Sequence, residues 1–153
     1  MKHNITLVCC PGARVGNLLS RMDHIQAQNF DLVVVHVGTN DITTLTPGQF
    51  RQAYEELIKG LKHKYGHPKV LASCVLPRPR DNNRTASQVL AFNKVLQHLI
   101  TTLDLHSVCK SYRNFMRGGQ VLEYLFRDGL HLTGKGSTLL AKALDGRINN
   151  IRW

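Results

Sequence analysis

The sequence predicts an α/β domain built on a parallel sheet, and two observations carry that expectation. Short β-branched, apolar runs alternate with longer amphipathic stretches, the pattern of strands joined by crossover helices. The run Asp31-Leu32-Val33-Val34-Val35-His36-Val37 is almost continuously apolar, as expected of a strand covered on both faces. At 153 residues the chain is long enough for one ordinary domain with a sizeable core. Residues 1–153 are therefore read as a single domain that needs neither disulfides nor a structural metal.

The elements follow in order. Ile5 to Cys10 is the first strand candidate, and Pro11-Gly12 turns the chain into a helix through Leu18, Leu19, Met22 and Ile25 that Asn29 ends. The valine-rich strand comes next. Thr46-Pro47 supplies an N-cap and a first-turn proline for a helix with Phe50, Tyr54, Leu57, Ile58 and Leu61 on one face, closed near Gly66. A strand is expected over Lys69 to Leu76, then a proline-broken loop over Pro77 to Asn83, then a helix over Ala86 to Leu103 with Val89, Phe92, Leu96 and Leu99 inward. Leu105 to Cys109 is a last short strand candidate, residues 110–127 show no clear period, and Gly134 to Ile148 is the closing helix.

Composition narrows the function classes. Twenty Lys/Arg against ten Asp/Glu give a net charge of +10, which favours weak, non-specific nucleic-acid binding or attraction to anionic surfaces. The charge is spread, however. Its densest stretches, Lys59, Lys62 and Lys64 and then Arg78, Arg80 and Arg84, lack the aromatic interleaving of a single-strand platform. Cys9, Cys10, Cys74 and Cys109 form no CxxC pair and no Cys/His ligand spacing, so no metal or cofactor is expected. They are read as buried thiols of a reducing compartment. No apolar run reaches the length of a membrane span, and Ile5 to Cys10 is too short for a signal h-region, so a soluble cytoplasmic protein is expected.

Two short motifs carry chemistry. Gly38-Thr39-Asn40-Asp41 follows the valine-rich strand; Gly and Asn tolerate left-handed turns, so a purely local turn is the bland explanation. Asp128 and His131 are separated by two residues in the loop before the closing helix, inside Asp128-Gly129-Leu130-His131-Leu132-Thr133-Gly134. A lone histidine is usually structural, and His36 and His98 are read that way. A carboxylate beside an imidazole is different, because it fixes the tautomer and stabilises the imidazolium formed when the other nitrogen accepts a proton. Ligands of open parallel sheets sit beyond the carboxyl ends of the strands, and all these residues, with Gly12, fall there.

Together with Pro11-Gly12-Ala13-Arg14, these segments resemble the SGNH/GDSL hydrolases, whose four sequence blocks donate a Ser, a Gly, an Asn and a His to one site. Cys10-Pro11-Gly12-Ala13-Arg14-Val15 followed by His36-Val37-Gly38-Thr39-Asn40-Asp41 is similar to the esterase-like domains of animal retroelements and genes derived from them. The resemblance implies a flavodoxin-like three-layer α/β/α sandwich and a serine esterase acting on small acyl, acetyl or lipid-like esters. It implies His131 as general base and then acid, Asp128 as its orienting partner, and Gly12 and Asn40 as oxyanion donors.

The Gly-Asp-Ser block that the family carries on a first βα unit, about 20–30 residues by ordinary element lengths, is missing from this sequence. No other serine replaces it: Ser20 and Ser87 fall in predicted helices, Ser73 and Ser107 in strands, Ser111 shortly after, and Ser137 in the closing helix, none on a nucleophile turn. The nucleophile is unknown and the chain is expected to be inactive as it stands. The rival readings are a pseudoenzyme that still binds an ester or carboxylate, and a basic nucleic-acid-associated module. The sheet is expected either to pair Ile5 to Cys10 directly with the valine strand or to leave that strand's edge open to self-association.

Overall fold

The valine-rich run forms strand β1, Leu32–Val35, in a computed structural model that describes residues 4–108 and 110–152. It lies parallel to β2, Lys69–Ser73, with Leu32 opposite Lys69 and Val35 opposite Ala72. β2 in turn lies parallel to β3, His106–Val108, with Leu71 opposite His106. The order β1-β2-β3 puts β2 in the middle, where Val70 to Arg78 are all buried. Parallel strands need crossovers, and helices supply them.

Two long helices cover one face. α2, Pro47–Lys64, starts at Thr46, whose hydroxyl accepts the Gln49 N–H while the Gln49 side chain accepts the Thr46 N–H. Its stripe Phe50, Tyr54, Leu57, Ile58 and Leu61 is buried as the periodicity requires. α3, Asn83–Thr102, begins three residues before the expected Ala86, because Asn82 and Thr85 form the same reciprocal cap inside a stretch that reads as loop. Phe50 and Phe92 stack at 4.0 Å between centroids where the two helices meet over Val35, Val70 and Ala72.

The other face is thinner. Residues 110–127, without period in the sequence, fold as a short helix α4, Lys110–Asn114, a hairpin of β4, Met116–Arg117, with β5, Gln120–Val121, and a 3-10 turn at Glu123–Leu125. They bring Phe115, Leu125 and Phe126 against Leu76 in a second small core. α5, Gly134–Asn149, closes the chain from its cap at Thr133. Gly136 sits so close to the 3-10 turn that a Cβ would collide with the Leu125 carbonyl oxygen.

Four expectations are corrected. Ile5 to Cys10 is not a strand: Ile5 and Leu7 are 77% and 82% exposed, and the segment lacks the hydrogen-bonding neighbour that a strand requires. Direct pairing with β1 is thereby excluded, and β1 is an edge strand. The helix expected through Ile25 is one turn, α1, Leu18–Arg21, after which the bonds close over three residues, as Met22 N–H to Leu19 O shows. Its apolar residues Leu18, Leu19, Met22 and Ile25 still pack on the main core. Finally, the cysteines are not uniformly buried thiols: Cys74 is disulfide-bonded, Cys9 is a free exposed thiol, and Cys109 lies outside the described residues.

Candidate active site

β1 runs into Gly38 at φ 129°, where a Cβ would approach Val75 Cγ2 to 2.8 Å, so glycine alone fits the turn. The 3-10 turn Thr39–Asp41 follows. Asp41 points inward and its Oδ2 accepts the Val15 N–H at 3.0 Å. Burial raises its pKa, opposed by that N–H and by the Arg14 charge. The Asn40 side-chain amide turns the other way and donates to the Ala13 carbonyl at 3.0 Å. An amide NH2 carries two hydrogens, so one remains for a further acceptor. Asn40 and Asp41 thus pin the Pro11 to Val15 loop beside the turn after β1, and exposed Gly12, at φ 73°, is the residue before Ala13.

The second pair is assembled by Asp128. Its Oδ1 accepts the backbone N–H of Leu130 at 3.0 Å and of His131 at 2.7 Å, and its Oδ2 meets His131 Nδ1 at 2.6 Å. These contacts, led by the His131 backbone N–H and then its ring, hold the Asp128 carboxyl well below the usual carboxylate range. With Nδ1 occupied by a carboxylate, Nε2 is the nitrogen left for proton transfer. The loop itself is closed by the Arg127 N–H to the His131 carbonyl and the Thr133 N–H to the Leu125 carbonyl. The His131 and Asp128 side chains remain 59% and 48% exposed, so the pair stands at a rim.

A third segment, missed in the sequence, ties these two together. Arg78 is buried, and its Nε and Nη2 bond Asp81 Oδ1 at 2.9 and 2.6 Å while Nη1 reaches the Thr39 carbonyl at 3.1 Å. Two residues on, the Arg80 N–H donates to the Gly129 carbonyl at 3.2 Å. The loop after β2 therefore grips the Asn40 turn with one arginine and the His131 loop with its backbone. The signal is an Arg and an Asp three apart in a proline-broken loop, a pairing that the loop's overall basic charge conceals. Lys62 and Lys64 are likewise engaged, donating to the Leu103 and Met22 carbonyls.

A groove of about 1340 Å³ opens at this place and continues along β1 to α5. Ala13, Gly38, Asn40, Arg78 and Leu130 line it, so each half of the site contributes to its wall, with Gly12 and His131 one residue away from lining positions. His36, on the groove side of β1, hydrogen-bonds the buried Ser73 hydroxyl through Nδ1 at 2.8 Å. Crowding by the groove walls lowers its pKa although solvent reaches the ring. Among the described side chains no serine hydroxyl bonds His131: Ser20 bonds the Asn17 carbonyl, Ser73 bonds His36, and Ser111 is buried without a described partner. No described helix is long and apolar enough to cross a membrane.

The sequence pattern of the GDSL-like lipase/acylhydrolase family matches residues 2–139. The chain belongs to that family. Among solved structures, the esterase domain of the ORF1 protein from the zebrafish ZfL2-1 retrotransposon is 28% identical, with 97% of this chain and 88% of that one covered at a TM-score of 0.60. A GDSL-like lipase from Bacteroides thetaiotaomicron is 18% identical over 90% of this chain and 72% of its own, at 0.72. The OSK domain of Drosophila Oskar is 14% identical over 88% and 70%, at 0.74. At such identities the last two speak for the fold alone. No curated protein matches the chain. The fold is the SGNH type of three-layer α/β/α sandwich, here with a three-stranded parallel sheet.

Proposed function

We propose that this domain carries the proton-transfer and oxyanion-binding parts of a serine ester hydrolase site for small acyl, acetyl or lipid-like esters, and that it does not turn over by itself. The observation that carries the reading is the Asp128–His131 pair, with Nδ1 held at 2.6 Å and Nε2 left available. In this assignment His131 takes the nucleophile's proton and returns it to the leaving group, while Asp128 keeps the ring in one tautomer and stabilises its charged form. Gly12 N–H and the free Asn40 amide hydrogen serve the oxyanion, where preset donors stabilise charge that develops only in the transition state. No described serine is placed to be the nucleophile. The nucleic-acid reading loses support because Arg78, Lys62 and Lys64 are spent on internal bonds.

The test is hydrolysis of a short-chain nitrophenyl ester. The chain is expected to match its His131→Ala variant, and a strand–helix unit bearing Gly-Asp-Ser, fused ahead of Met1, is expected to give turnover that His131→Ala removes. Fused protein that folds but gives no His131-dependent turnover would refute the assignment.

A further inference from the structure

The cations beside the candidate site are unequally engaged. Arg78 is tied to Asp81 and Thr39. Arg14, Arg80 and Arg127 are exposed, and none of their guanidinium groups forms a hydrogen bond or ion pair with a described residue. All three start from backbone that builds the site. Arg14 follows Ala13, whose carbonyl holds Asn40, and its charge reaches the buried Asp41. Arg80 gives its N–H to the Gly129 carbonyl, and its Cβ lies 3.3 Å from where a Gly129 Cβ would stand. Arg127 precedes Asp128 and gives its N–H to the His131 carbonyl. The carboxylates nearby are already engaged: Asp41 accepts the Val15 N–H, Asp81 the Arg78 fork, and Asp128 two N–H groups and the His131 ring. Glu123, exposed in the turn before Arg127, pairs with none of the three.

Like charges gathered at one rim repel one another, and an anion from outside relieves them. Guanidinium suits that task, since its planar fork matches carboxylate and phosphate. The two sides of the site differ. In the proposed chemistry His131 returns its proton to the leaving alcohol, so the alcohol part of the ester lies against the Asp128–His131 loop. Arg80 and Arg127 both start beside that loop, whereas Arg14 starts on the oxyanion side. We propose that the substrate is a small ester whose alcohol part carries an anionic group, carboxylate or phosphate, bound by Arg80 and Arg127 with Arg14 adding its charge. The proposal rests on the ester reading and narrows it: recognition comes from a charged alcohol, and a long acyl chain contributes nothing to it.

The test is a chemical-shift titration of the full chain, read at the Asn40 side-chain amide, Gly129 and His131. Acetoxyacetate and 2-acetoxyethyl phosphate carry the charge on the alcohol part, monomethyl succinate carries it on the acyl part, and methyl acetoxyacetate is neutral. The first two are expected to bind about tenfold more tightly than the others at low salt and to lose most of that margin at high salt. Arg80→Gln and Arg127→Gln keep their backbone bonds and are each expected to cut the margin about threefold, Arg14→Gln less. Lys59→Gln and Lys94→Gln, exposed in the second halves of α2 and α3, are expected to leave it unchanged. Equal affinity for charged and neutral esters would overturn the proposal and leave the ester reading standing. So would tighter binding of monomethyl succinate than of acetoxyacetate, or a margin that falls equally in the lysine variants, because net charge would then be its source. Glycolate binding as tightly as acetoxyacetate would contradict the ester reading and leave the anion site standing.

Discussion

The two faces of the sheet are built to different standards. On one, α2 and α3 each begin with a reciprocal cap and bury complete stripes, with Phe50, Tyr54, Phe92 and Leu99 wholly enclosed. On the other, α5 fully buries only Gly136; its Leu139 and Leu140 stay half-buried against the second small core and its Leu144 half-buried over the groove. The candidate site lies where the finished and the unfinished faces meet, at the carboxyl edge. Rigidity there comes from hydrogen bonds of Asn40, Asp41, Arg78 and Asp128 rather than from apolar enclosure.

Truncation should expose this contrast most strongly. Phe92→Ala removes a stacked, enclosed ring and is expected to cost about 3–5 kcal/mol in urea denaturation. Leu144→Ala, on the open face, is expected to cost about 1–2 kcal/mol, since part of that side chain still faces the groove. Equal costs would show that the faces are equally packed in solution.

Arg78→Ala should follow, with a loss of about 2–3 kcal/mol from an unpaired Asp81 and a released Thr39 carbonyl. Arg78→Lys should recover little of it, because a point charge cannot reproduce the fork that holds Asp81 and Thr39 together. Chemical shifts of Asn40 and Gly129 should move in both variants; shifts confined to residue 78 and its neighbours in sequence would contradict the bridging role.

The open face should also be the acid-sensitive one. Crowding lowers the pKa of His36, and burial followed by the charges of Arg147 and Lys69 lowers that of His106. A histidine whose folded pKa lies below its unfolded value contributes stability above about pH 6.5 that is lost as pH falls through the folded value. The thermal midpoint should therefore drop between pH 7.5 and 5.5, and His36→Gln with His106→Gln should flatten that slope. The Asp128 carboxyl, with its pKa lowered, contributes to pH dependence only in a more acidic window. The smallest effect is expected of Tyr54→Phe, within about 0.5 kcal/mol, because the enclosed Tyr54 hydroxyl has no described partner to lose.

What the sequence made legible follows the same division. The stripes of α2 and α3 follow from periodicity, which reports burial directly, and the Thr46-Pro47 start from capping; the valine run reads as covered on both faces but forms the edge strand β1 with Val34 exposed, because one neighbouring strand and one covering layer are lacking among the described residues. Asp128 and His131 are three positions apart in the chain, so their contact is a local property of one loop. Ile5 to Cys10 shows the limit, because an apolar β-branched run becomes a strand only where a neighbour offers backbone groups. The 110–127 segment takes its shape from Phe115 and Phe126 meeting Leu76 across long separations, which leaves no period to read. Arg78 was hidden for a related reason: its partner Thr39 lies 39 residues away.

The central claim is that the described residues hold the proton-transfer and oxyanion parts of an ester hydrolase site without its nucleophile. Intact-mass measurement after treatment with a fluorophosphonate tests it most directly, since the reagent labels a serine only when a neighbouring base activates it. The account predicts no adduct on the 153-residue chain, in native protein and His131→Ala alike. A single stoichiometric adduct on one serine, lost in His131→Ala, would contradict it.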